Sequence, residues 1–223
     1  MKSSQAWCLL ILLLALTWGG PGRAGTVHAT GAHVYLLRGI FNVSVGLDAL
    51  ADKLRQTGIA ATVYGRDEAG AVTAAALAQY QTGARAIILV GHSLGAGAAL
   101  SVARQLGNSG VPVALVVLLD PVSSAAVPSN VGRAVNFYVS GGLGTTVQAE
   151  AGFRGNLANM DFKSAGMDHM SIQAADPIHR QIIGFIRAAV GGAAAGTGHE
   201  TPGRHATHAA HGNRHPGAAH HQS

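Results

Sequence analysis

The chain alternates two kinds of apolar segment, and this alternation limits its fold more than any other feature. HVYLLRG (33–39), ATVYG (61–65), RAIILVG (85–91), VALVVLL (113–119) and AVNFYVS (134–140) are short, unbroken and rich in β-branched or aromatic residues, as strands covered on both faces must be. Between them, VGLDALADKLRQTG (45–58), AVTAAALAQYQTG (71–83) and SLGAGAALSVARQLGNSG (93–110) carry apolar residues at helical spacing and stop at glycines. A sixth run, LANMDF (157–162), and a last helix over 174–190 complete the series, with Asp176 as its candidate N-cap and Pro177 in its first turn. Strands alternating with helices predict a mostly parallel sheet of about six strands, right-handed crossovers and helices on the sheet faces. Residues 25–190 suffice for one hydrophobic core and are too few for two.

The two ends read differently. Lys2 precedes an apolar run from Ala6 to Trp18 that is followed by GGPGRA, the pattern of a secretory signal peptide over 1–24 with cleavage after Ala24. The run is shorter than the ~20 residues that span hydrocarbon, so the expectation is an exported protein, periplasmic or secreted, with no stable membrane span after cleavage. The single cysteine, Cys8, lies in that run, so the mature chain would hold neither a disulfide framework nor a thiolate metal site. From 191 to 223 the sequence is rich in Gly, Ala and His and lacks an apolar period, which predicts a disordered tail. Its histidines have no spacing that fixes a tetrahedral site, so no metal or cofactor is expected. The formal charge of +5 is concentrated at the ends: Lys2 and Arg23 leave with the signal, and Arg204 and Arg214 sit in the tail against Glu200. The slightly basic remainder has no Lys/Arg cluster, which argues against a nucleic-acid partner.

GHSLG (91–95) stands where the third strand passes into a helix. In that context G-x-S-x-G presents Ser93 on a sharp turn at the C-terminal edge of the sheet, a candidate nucleophile. Gly91 and Gly95 remove side chains where strand and helix meet, and Ala96, Gly97 and Ala98 keep the helix close to the sheet. The N–H of Leu94, at the helix start, would face a developing oxyanion. A second donor is expected from the loop after the first strand, Arg38 to Asn42, through the amide of Ile40 or Phe41. That loop runs into Asn42-Val43-Ser44, a coincidental glycosylation sequon.

The base must be a histidine at the same edge, after the serine in chain order. His92 is set aside as pointing away from the site by the geometry of the turn. His28 and His33 precede or begin the first strand, and His179 falls in the last helix. His169, in GMDHMSI between the last strand and the last helix, fits. For the acid, Asp120 ends the strand that follows the nucleophile helix, one strand from Ser93; its role would be to hold the His169 tautomer. Glu150, Asp161 and Asp168 are rivals. After AVNFYVS, where many such enzymes keep the acid, this chain has Gly141 and Gly142, which favours Asp120.

GHSLGAGAALSVARQLGNSGVPVALVVLLDP resembles the nucleophile helix and following strand of α/β-hydrolase thioesterase domains, and is similar to the matching stretch of lipases that read GHSLGA and later LDP. The resemblance is close over 85–121 and extends loosely, through the MDHMSI histidine and the RG loop, over most of the core. It implies a minimal α/β-hydrolase fold and carries the roles of nucleophile, acid and base onto Ser93, Asp120 and His169. The expectation is a serine hydrolase that cleaves a carboxylic ester or thioester of a small or lipid-like acyl substrate through an acyl-enzyme, without a cofactor. No insertion is long enough for a large lid. An exported location separates the chain from thioesterases that serve carrier proteins inside the cell. Two other classes remain in view, a non-catalytic binding module on the same scaffold and an exported metal-binding protein acting through its His-rich tail.

Overall fold

In chain order the strands are β1 (Ala32–Leu37), β2 (Ala60–Tyr64), β3 (Ala86–His92), β4 (Leu115–Leu119), β5 (Ala126–Val127), β6 (Arg133–Tyr138), β7 (Gln148–Ala149) and β8 (Asn156–Asp161). The helices are α1 (Gly46–Gln56), α2 (Ala69–Gln81), α3 (Leu94–Asn108) and α4 (Asp176–Gly196). The computed structural model describes residues 31–196, so the signal-like segment 1–24, Cys8, His28 and the tail histidines lie outside the described residues. Among the described residues no helix is long and apolar enough to cross a membrane.

Six strands form one sheet in the order β2-β1-β3-β4-β6-β8, and every pairing is parallel. Alternation along the strands divides the core in two. Val34, Leu36, Ile88, Val90, Val117, Val135 and Phe137 face α1 and α4, while Tyr35, Leu37, Ile87, Leu89, Val116 and Leu118 face α2 and α3. Because both faces are covered, β3 and β4 are apolar at nearly every position instead of at every second one. Each helix answers with its own stripe: Leu47, Leu50, Ala51 and Leu54 on α1, and Ile178, Ile182 and Ile186 on α4. On α3 the buried stripe mixes small and large residues, Ala96, Ala99 and Ala103 with Leu100, Val102 and Leu106.

The six long strands and four helices stand where the apolar pattern puts them. The short pair β5 and β7 was not expected, because two residues per strand leave no periodic signal. The last helix also continues to Gly196, past the boundary expected at 190; Ala193–Ala195 supply the strongest helix-forming residue type.

Phe137 is fully buried, with its ring 5.5 Å from that of Phe162 and 6.2 Å from that of Phe185. It ties β6 to α4 and to the loop that follows β8. Phe137→Ala should lower unfolding free energy by about 3–5 kcal/mol, read as a shift of the urea midpoint at unchanged slope.

Candidate active site

The register of the sheet sets the site. His92 pairs with Leu119 across β3 and β4, and Ser93 N–H donates to Leu119 C=O at 2.9 Å. The ladder thus runs one residue past β3 and brings Ser93 and Asp120 level on adjacent strands. Asp120 N–H in turn donates to Phe137 C=O at 2.7 Å. Both residues leave their strands with positive φ, +59° at Ser93 and +46° at Asp120, a strained backbone that costs about 1–3 kcal/mol each and persists only where its surroundings fix it. At the Ser93 turn the fixing is steric: a β-carbon on Gly95 would strike the Leu37 and Arg38 carbonyl groups, and one on Gly91 would strike Gly95.

His169 comes from the stretch between β8 and α4. Asp168 organises this turn by accepting the N–H groups of Met170 at 2.9 Å and Ser171 at 2.7 Å, and the hydrogen bonds from Ser171 and Met170 hold its carboxyl below the ordinary carboxylate range. The His169 ring then reaches both partners. Its Nδ1 is 2.6 Å from Asp120 Oδ2 and its Nε2 is 3.0 Å from Ser93 Oγ. A carboxylate can only accept, so Nδ1 carries the proton and Nε2 is the free acceptor facing the serine hydroxyl.

Asp120 is wholly buried, and its second oxygen accepts Val139 N–H at 2.8 Å. The loop after β6 closes over the carboxylate. A β-carbon on Gly144 would overlap the Asp120 carboxyl group, so glycine is required by this close approach. The loop is moored by a cross-strand asparagine pair: Asn136 Nδ2 donates to Asn159 Oδ1 at 2.8 Å and to Thr145 C=O at 2.9 Å, while Asn159 exchanges hydrogen bonds with both backbone groups of Val147. The rival acids are engaged elsewhere. Glu150 pairs with Arg104, Asp161 accepts the N–H groups of Ser140 and Lys163, and Asp168 holds its own turn.

Ser93 opens into a cavity of about 340 Å³ walled by Ile40, Val43, Leu94, Val122, Leu143 and Met170, with His92 and His169 beside it. Ile40, Val43, Leu143 and Met170 are also exposed at its rim. The Arg38–Asn42 loop lies against the serine, since a β-carbon on Gly39 would be 3.0 Å from Ser93 Cβ. Among the described residues the amides of Leu94, Ile40 and Phe41 have no hydrogen-bond partner. Ile40 and Leu94 line the cavity; Phe41 is 87% exposed and does not. Arg38 pairs with Asp48 of α1.

No protein-family model and no curated protein sequence matches the chain. Among solved structures, human thioesterase 2 superposes with a TM-score of 0.51 at 12% identity, covering 73% of this chain and 97% of that one. A thioesterase from the prodiginine biosynthetic pathway of Streptomyces coelicolor follows at 0.47 (11% identity, 81% and 97% covered). A protein described as a hydrolase of the α/β superfamily, from Xanthomonas campestris pv. campestris, superposes at 0.42 (18% identity, 74% and 99% covered). The fold is that of the α/β hydrolases. It is a small version of the α/β-hydrolase fold, with a six-stranded sheet and helices on both faces.

Within this α/β-hydrolase fold two neighbours of the site escaped the sequence reading. His92, expected to point away, is buried with its ring 4.8 Å from that of His169, and it lines the same cavity. Ser44, visible in the sequence only as the end of a sequon, is buried at 2.7 Å from His92 Nδ1. The other core histidines serve packing: His33 stacks on Tyr35, and His179 lies between Lys53 Nζ and Gln173 C=O. Among the described residues no cluster of His, Cys, Asp and Glu could hold a metal ion.

Gly144→Ala should push the Asp120 carboxyl group off His169: the far-downfield ring N–H proton resonance of His169 should disappear from the NMR spectrum, and the urea midpoint should fall with it. A second expectation concerns pH. Burial pushes His92 down to about 4 from 6.5 and lowers His179 and His33 as well. The unfolded chain therefore binds more protons than the folded one between these values. Stability is complete above pH 6.5 and falls as the pH drops towards 4, by about 3 kcal/mol for His92 alone. Urea midpoints across this window should show the loss, and His92→Gln should flatten it.

Proposed function

We propose that the protein is a serine hydrolase that cleaves a carboxylic ester or thioester through an acyl-enzyme. The observation that carries this reading is the continuous contact from Ser93 Oγ to His169 Nε2 (3.0 Å) and from His169 Nδ1 to the buried Asp120 (2.6 Å). As Ser93 Oγ bonds to the substrate carbonyl carbon, His169 Nε2 takes its proton, and Asp120 holds the ring and stabilises the imidazolium that forms. The oxyanion of the tetrahedral intermediate is met by the unpartnered amides of Leu94 and of Ile40 or Phe41. Collapse breaks the bond to the leaving oxygen or sulfur, which receives the proton from His169. Water, deprotonated by the same ring, then releases the acid and restores Ser93.

The aliphatic wall of Ile40, Val43, Val122, Leu143 and Met170 suits an apolar acyl group. The thioesterase activity in the name of the human structure supports an acyl substrate and leaves ester and thioester to be separated by assay. The signal-like segment 1–24 supports action outside the cytoplasm.

The test is hydrolysis of p-nitrophenyl esters and acyl-CoAs of increasing chain length by residues 25–223. Ser93→Ala should lower kcat/KM by about 10⁴-fold or more, with loss of fluorophosphonate labelling. A folded wild type that matches the alanine variant on every substrate and takes no label would overturn the reading.

A further inference from the structure

His92 is buried beside the reacting groups and has no step in the mechanism above. Its contacts fix its protonation. Nε2 lies 2.8 Å from the backbone carbonyl oxygen of His169. A carbonyl only accepts, so Nε2 must carry a proton. Burial holds the ring neutral, which leaves Nδ1 bare, and the Ser44 hydroxyl at 2.7 Å donates to it. Ser44 Oγ keeps a lone pair for Gly39 N–H, 2.9 Å away. All donors in this row run one way, from Gly39 N–H through Ser44 O–H and His92 Nε2–H to the carbonyl of His169.

The row joins two loops that no strand connects. One end, Gly39, immediately precedes the Ile40 and Phe41 amides; the other is the backbone of the residue that faces Ser93. His92 itself is bonded in chain to Ser93. We propose that His92 is a positioning residue, held by Ser44 as its Nε2–H tautomer, that fixes the backbone of His169 and the Gly39 loop relative to Ser93. The inference rests on the hydrolase reading for its effect on rate, but its geometry is independent of that reading.

Two substitutions separate positioning from space-filling. His92→Phe keeps a flat aromatic ring, slightly larger than imidazole, and loses both nitrogens. His92→Gln keeps a donor near the Nε2 position. Misplacement of the base should cost the phenylalanine variant about 100-fold in kcat with KM within about twofold, and the glutamine variant only about fivefold. Ser44→Ala should fall between them. A phenylalanine variant at least as active as the glutamine one would overturn the proposal.

A readout without turnover uses the whole chain and the ring nitrogen resonances at pH 7. The wild type should show His92 protonated on Nε2 and bare on Nδ1, and the His169 ring signals should move in His92→Phe and hold in His92→Gln. An Nδ1–H tautomer for His92, or His169 signals unmoved in the phenylalanine variant, would overturn the proposal even if that variant were inactive for other reasons. If the wild type hydrolyses nothing, the hydrolase reading fails and these spectra still decide the row of hydrogen bonds.

Discussion

Asp120 carries its carboxylate with no exposure to solvent, and its two oxygens are met by Val139 N–H and by the His169 ring. A carboxylate left unpaired at such a depth costs several kcal/mol. The end of β6, the loop that places Gly144 on the carboxyl group and the turn that carries His169 must therefore all be seated before this charge is tolerated. The asparagine pair of β6 and β8 moors that loop through Thr145 and Val147. The reactive edge is thus part of the folding problem and not an ornament added to a finished sheet.

The two strained turns at Ser93 and Asp120 belong to the same economy. Each residue follows directly on a buried strand whose ladder holds its N–H, to Leu119 C=O in one case and Phe137 C=O in the other. The sheet supplies the rigidity that keeps unfavourable backbone angles in place. Strain and burial so concentrate where two neighbouring strands end at one level.

Legibility in the sequence followed the range of the interactions. The sheet was readable because strands covered on both faces become continuous apolar runs, and α1 and α4 because their stripes recur every three or four residues. Ser93 was readable from its glycines and the strand before it, and His169 from chain order. Asp120 was reached by elimination, and the structure sets it beside His169. The rest depends on partners far apart in sequence: Ser44 and His92 are 48 residues apart, Asn136 and Asn159 are 23 apart, and no local pattern announces either pair. The direction of His92 is not set by its own turn, because the ring is received by a loop 77 residues further on.

The walls of the cavity come from the loops that follow β1, β4, β6 and β8 and from Leu94 at the start of α3, while the sheet beneath contributes the edge that carries Ser93 and Asp120. Loops tolerate changes in length and composition far better than the buried strands they leave. The lining of the cavity is in this way uncoupled from the scaffold. A lineage, or a laboratory library, can reshape one wall at a time around Ile40, Val122, Leu143 or Met170 and inherit the chemistry intact.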